Sequence, residues 1–114
     1  MDFHKLKLDQ FDNIKVLNLP SGVDLPFTST KNKFQCLISF VQTEAEVDEA
    51  ISQVVKVGGG TSLIIAYPKG ASKKFQSEVN RDTIIAKIKA ISNFKAPKLV
   101  SLNQDWSGFS FRYE

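Results

Sequence analysis

The residues of this chain that could bind a ligand are concentrated between positions 67 and 82. A buried apolar run, Leu63–Ala66, leads into Tyr67, and a loop with three lysines follows before Asn80–Asp82 opens an apolar-periodic helix. In open α/β sheets ligands bind beyond the carboxyl ends of strands, and lysine, arginine, hydroxyl and free helix amide groups all suit an anion. The sequence therefore predicts an anion-accepting loop at 68–82. The candidate ligand-binding residues are Tyr67, Lys69, Ser72, Lys73, Asn80, Arg81, Asp82 and Trp106.

The same residues also have a purely structural interpretation. The lysines keep a surface loop solvated, and Asn80 caps the following helix. Arg81 and Asp82 form an ion pair with each other. Trp106 fills the core instead of stacking on a ligand. The sequence leaves both interpretations open.

Few residues of this chain suit catalysis or metal binding. It has one cysteine, Cys36, and one histidine, His4, so it can form no internal disulfide and lacks the usual ligands of structural zinc. Cys36 lies in a strand-like run and is expected to be a buried thiol. We predict no catalytic residue, no metal and no cofactor, and we favour a protein that is not an enzyme.

Composition points to one ordinary globular domain. The chain has 114 residues, of which 42% are hydrophobic and 24% charged, with a net charge of +3. It lacks the dense basic stripe that is typical of nucleic-acid modules. It shows no signal-peptide pattern and no apolar run long enough for a membrane-spanning helix. The expected location is the cytoplasm.

Local patterns predict the elements that position the candidate residues. A capping box at Thr43 and Glu46 begins a helix that ends at the glycines 58–60. A second helix begins near Arg81. The pattern of residues 1–12 predicts no helix or strand, and this segment is expected to be mobile. Residues 20–33 are predicted to form a loop with a short helical turn near 23–27. The predicted strands are Ile14–Leu19, Phe34–Val41, Thr61–Tyr67, Lys98–Leu102 and Gly108–Tyr113.

This order predicts the fold class. Strands that alternate with helices indicate an α/β domain over residues 1–114, with a mostly parallel mixed sheet of about five strands flanked by two main helices. Two alternating runs around the polar segment 103–105 predict an antiparallel hairpin at the C-terminal edge. The glycines 58–60 run from a helix into a strand, so they are not a phosphate-binding loop, which runs from a strand into a helix.

Several short motifs resemble those of a family of small bacterial proteins known as a domain of unknown function. The motifs are Leu17-Asn18-Leu19-Pro20, Ala66-Tyr67-Pro68-Lys69, Ser72-Lys73, Asn80-Arg81-Asp82, Asp105-Trp106-Ser107 and Phe111-Arg112. The resemblance runs from about Val16 to Arg112. It implies a shared fold and neighbourhood but no established activity.

A more distant resemblance is to the C-terminal half of class I S-adenosylmethionine-dependent methyltransferases. The helix, the glycines 58–60 and the strand Ser62–Tyr67 look like the part of those enzymes in which a glycine-rich turn precedes a central strand. This implies a truncated, Rossmann-like sheet closed by an antiparallel hairpin. The glycine-rich loop and the acidic residue that hold the cofactor in that family have no counterpart in this chain.

The sequence thus supports several functional hypotheses. The first is a non-enzymatic cytoplasmic binding or interaction module that holds an anionic group on a small molecule or a protein partner. The alternative is a reduced enzyme of methyltransferase type that binds S-adenosylmethionine or a nucleotide. A weaker alternative is RNA binding through the lysine loop. An exposed strand edge near the C-terminus is also compatible with a homodimer.

Overall fold

The computed structural model of the chain describes residues 1–70, 77–91 and 93–114, except for the side chain of Ala96. Within these ranges it is one compact α/β domain with a five-stranded mixed sheet, two α-helices and two short 3-10 helices. The 3-10 helices span Phe3–Leu6 and Leu8–Gln10. The other elements are β1 (Ile14–Leu17), β2 (Cys36–Phe40), α1 (Glu44–Val57), β3 (Thr61–Pro68), α2 (Arg81–Lys89), β4 (Phe94–Ser101) and β5 (Trp106–Tyr113).

The strands lie side by side in the order β1-β2-β3-β5-β4. β1, β2 and β3 are parallel to one another, whereas β5 is antiparallel to both β3 and β4. Four of the five strands therefore run in the same direction. The predicted α/β class, the mixed sheet with two helices and the antiparallel hairpin are confirmed, with one correction. The antiparallel strand β5 lies inside the sheet, because its buried aromatic side chains pack on the core beside β3, and β4 forms the edge.

The first helix follows the capping signal that the sequence predicts. The Thr43 hydroxyl accepts from the Glu46 amide at 3.2 Å, and the Glu46 carboxylate accepts from the Thr43 amide at 3.1 Å. Val47 and Val54 face the core. The helix ends at Gly58, whose φ of 106° suits glycine. None of the helices in the described ranges is long and apolar enough to cross a membrane.

The second helix is shorter and is capped by one side chain. The Asn80 carboxamide oxygen accepts from the Thr83 amide at 3.0 Å, which satisfies one of the amides left open at the helix start. Ile84 and Ile88 are buried in the same core as the apolar face of α1. Both helices therefore cover one face of the sheet, which we call the helical face.

The opposite face is covered by segments without α-helix. Phe3 and Leu6 of the first 3-10 helix and the half-buried apolar residues of segment 23–27 form a second core there, together with Trp106. Residues 1–12, for which the sequence predicts no element, thus adopt short helical turns. Each turn is only three or four residues long, which is too short to produce a recognisable helical period.

Several local predictions differ from the structure: β1 and β2 are shorter than predicted, β5 begins two residues earlier, and the largest differences concern β4 and the segment 23–27. β4 begins at Phe94, not Lys98, and contains Pro97 at a point where its pairing with β5 changes register between Lys95 and Lys98. An edge strand tolerates proline because one side of its backbone needs no hydrogen-bond partner. The segment 23–27 contains no helical turn.

Candidate anion-binding cleft

A cleft of about 750 Å³ opens at the carboxyl end of β3. It is lined by residues 67–70 at the end of β3, by residues 77–81 at the start of α2, and by one residue each from β4 and β5, Leu99 and Ser107. We call it the β3–α2 cleft. It lies at the strand end where the sequence predicts a ligand site.

A row of hydroxyl groups crosses the sheet at this end. Tyr67 of β3 lies opposite Ser107 of β5, and Ser107 lies opposite Ser101 of β4. Directly paired residues project from the same face of a sheet. Tyr67 packs in the core of the helical face, so all three hydroxyl-bearing side chains belong to that face.

Lys69 is held at the end of this row. Its ammonium group donates to the Ser101 hydroxyl at 2.6 Å, and its backbone amide donates to the Asp105 carbonyl at 2.7 Å. The lysine is half-buried, whereas the lysines at most other positions of the described chain are exposed. The contacts fix a positive charge beside the hydroxyl row.

Tyr67 experiences both burial and nearby charge. Burial raises the pKa of its phenol above the ordinary value, and the charge of Asp82 raises it further. A hydrogen bond with Ser107 and the positive charge of Arg81 act in the opposite direction on this pKa. The net shift is upward, so Tyr67 is protonated at neutral pH and can donate a hydrogen bond.

The start of α2 supplies the second cation. Arg81 is exposed, and its Nε lies 3.8 Å from the Asp82 carboxylate, with 60% and 87% of the two side chains accessible. That separation is longer than a hydrogen bond, and an exposed pair of this kind contributes little stability. The contact leaves the guanidinium with donors for a ligand.

The chain just before α2 is tethered to the end of β2. The Glu78 amide donates to the Gln42 carbonyl at 2.8 Å, and the Ser77 hydroxyl accepts from the Val79 amide at 3.0 Å. Glu78 itself is exposed and contributes a negative charge to the lining. The described lining thus carries two positive charges, on Lys69 and Arg81, and one negative charge.

The structure brings together half of the predicted site residues. Tyr67, Lys69, Asn80 and Arg81 line the cleft, and Asp82 lies next to it, exposed beside Arg81. Ser72 and Lys73 lie outside the described residues.

Trp106 lies on the other face of the sheet. It is 2% exposed and packs edge-to-face on Phe40, with ring centroids 5.4 Å apart. Its side chain belongs to the second core and does not line the cleft.

Two lining residues from outside the predicted loop were missed by the sequence analysis, Leu99 and Ser107. Ser77 belongs to the predicted loop 68–82, and its hydroxyl suits the anion site predicted there. Leu99 and Ser107 reach the cleft only because β5 pairs with both β3 and β4. Local alternation predicted the pairing of β4 with β5, but no local pattern signals the pairing of β5 with β3.

A second, wider groove of about 1320 Å³ lies beside the N-terminal 3-10 helices. Phe11, Phe27 and Val100 contribute half-buried apolar surface to it, and Lys7 and Lys98 lie at its border. The sequence did not indicate this groove, because it forms only where the N-terminal 3-10 helices meet strand β4 and the segment 26–28, which are distant along the chain.

The described residues contain no group of three or more His, Cys, Asp or Glu side chains that could hold a metal ion. Cys36 is fully buried in β2, and burial raises the pKa of its thiol to about 12. It is therefore an unreactive thiol under ordinary conditions, since the thiolate is the nucleophile.

Comparison with known proteins finds no match: no protein-family model, no curated protein and no solved structure is similar to this chain. Fold and cleft together define a small α/β domain with a cationic, hydroxyl-lined cleft at a strand end.

Proposed function

We propose that this protein binds an anionic group, on a small molecule or on a protein partner, in the β3–α2 cleft and catalyses no reaction on it. The observation that carries the proposal is the convergence of Lys69 and Arg81 with the hydroxyls of Tyr67 and Ser107 at one strand end. Binding is preferred to catalysis because the described lining contains no thiol or imidazole and only one carboxylate.

Each group suits an anion for a physical reason. A guanidinium can donate two parallel hydrogen bonds to phosphate or carboxylate, and an ammonium adds a compact point charge. The phenol of Tyr67 remains protonated and offers a further donor. The first amides of α2 carry the positive end of the helix dipole, which adds to the attraction.

The proposal is tested by titrating inorganic phosphate into the labelled protein and following backbone amide shifts by NMR. We expect residues 67–70 and 77–81 to shift. Arg81→Gln and Lys69→Gln should each weaken binding about tenfold to a hundredfold, because a hydrogen bond to a charged group contributes about 1.5–3 kcal/mol.

Arg112→Gln is the matched control. Arg112 is exposed on β5, opposite Ser62 near the start of β3, and thus lies at the other end of the sheet. Its replacement changes the net charge equally and should leave phosphate affinity nearly unchanged. Equal losses in Arg81→Gln and Arg112→Gln would mean that the cleft is not the binding site.

A second candidate function is binding of S-adenosylmethionine or a nucleotide by a reduced, methyltransferase-like domain. It is favoured by the turn Gly58–Gly60 before β3 and by the antiparallel β5, both expected from that resemblance. The turn lies at the amino end of β3, however, and β1 is followed by Asn18 and Leu19 in place of a glycine-rich loop. Shifts at the same amides with S-adenosylmethionine, and none with phosphate, would favour this candidate over the first.

A further inference from the structure

Building on the proposed anion site, we infer that the ligand of the β3–α2 cleft carries an apolar or aromatic body next to its anionic group. The inference rests on Leu99, an apolar side chain that lines the cleft while 46% of its surface stays exposed. The ligand class is a small organic anion, for example an aryl phosphate.

Leu99 belongs to an apolar row on the helical face. Strand register places it opposite Phe109 of β5, which in turn lies opposite Ile65 of β3. Phe109 and Ile65 are buried beneath the helices. Leu99 continues this row at the edge strand, where the described helices leave it uncovered.

The apolar row and the hydroxyl row are neighbours. Leu99 and Ser101 are two residues apart in β4, so they project from the same face, and Ser101 accepts from the Lys69 ammonium. An anionic group held by Lys69 and Arg81 would therefore lie beside the exposed surface of Leu99. Val79 and Pro68, both buried, complete the apolar part of the lining.

This arrangement separates the cleft into a cationic side and an apolar side. Inorganic phosphate would use only the cationic side. A ligand whose ring covers Leu99 would also remove apolar surface from water, which corresponds to about tenfold tighter binding for an area of about 60 Å².

The test compares inorganic phosphate with phenyl phosphate in wild type, Leu99→Ser and Leu99→Ala, by the same NMR titration. We expect phenyl phosphate to bind wild type about tenfold more tightly than inorganic phosphate. Both variants should lose this preference and keep their affinity for inorganic phosphate. Because Leu99 is largely exposed, neither replacement should impair folding, and thermal unfolding of each variant checks this directly.

Leu19→Ser is the matched control, since Leu19 is 41% exposed and lies outside the cleft lining. It should retain the preference for phenyl phosphate. The inference is overturned if wild type shows no preference, or if Leu99→Ser keeps it. If phosphate binding still depends on Arg81 in that case, the proposed function stands alone. If neither compound binds wild type, both proposals fail.

Discussion

At the scale of single residues, Tyr67 reports the electrostatics of the cleft without any ligand. Its pKa is raised by burial and by Asp82 and lowered by Ser107 and Arg81. We predict that Arg81→Gln raises the pKa of Tyr67 further, because a positive charge that favours the phenolate is removed. Asp82→Asn should lower it. The measurement is the pH titration of tyrosinate absorbance in a Tyr113→Phe background, in which Tyr67 is the remaining tyrosine.

Arg112→Gln serves again as the control and should leave this titration unchanged. A lower Tyr67 pKa in Arg81→Gln would contradict the placement of the guanidinium beside the phenol.

The raised pKa of Tyr67 also makes the stability of the folded protein depend on pH. The pKa of Tyr67 is higher in the folded protein than in the unfolded chain. The contribution of this phenol to the free energy of unfolding is therefore complete below about pH 10, and it is lost as the pH rises through the pKa of the folded state.

At the scale of elements, α1 begins at a reciprocal capping box and α2 at a single side-chain cap. We predict that Thr43→Ala lowers the free energy of unfolding by about 1 kcal/mol, because the Glu46 amide loses its acceptor. Urea denaturation measures the change. Thr28→Ala, at an exposed position outside any helix, should change it little. Equal stability of the two variants would show that the box does not stabilise α1.

The same elements show what local sequence can predict. The bounds of α1 follow from Thr43 and Gly58, which act on their immediate neighbours. The start of β4 could not be predicted in this way, because Pro97 is locally a strand breaker. It is tolerated inside β4 only because β4 is an edge strand, and edge position is a property of the assembled sheet.

At the scale of the whole molecule, the edge strand β4 has sequence features that oppose pairing with another strand. β4 carries Lys95, Pro97 and Lys98 at exposed positions and has an irregular register, which are features that block pairing between edge strands. We predict that the double variant Lys95→Val/Pro97→Val associates through β4 while wild type does not. Sedimentation velocity at equal concentrations measures the difference.

The control for this prediction is Lys56→Val/Lys89→Val, which replaces two exposed helical lysines. It should remain as monomeric as wild type, since helix surfaces present no open backbone ladder. Dimerisation of wild type that Lys95→Glu abolishes would contradict the prediction and support the homodimer considered from the sequence.

The candidate site could be predicted in part. Tyr67, Lys69, Asn80 and Arg81 were assigned because each lies at a strand end or helix start that local pattern identifies. Trp106 was assigned on its residue type, yet it projects to the opposite face from its neighbour Ser107. Successive side chains of β5 point to opposite faces of the sheet, so a shift of the strand pairing by one residue would exchange the faces of Trp106 and Ser107. Only pairing with a second strand decides such a register.

The sequence by itself determined the elements that depend on contacts within a few residues: the caps at Thr43 and Asn80, the glycine stop after α1, and the polar turn before β5. The tertiary structure decided the strand order, the burial of Trp106, and the meeting of Leu99 and Ser107 with Arg81. The physical reason is separation along the chain. Caps and turns are set by hydrogen bonds between near neighbours, whereas β5 lies between β3 and β4 because that position buries Phe109 and Phe111 against residues more than forty positions away.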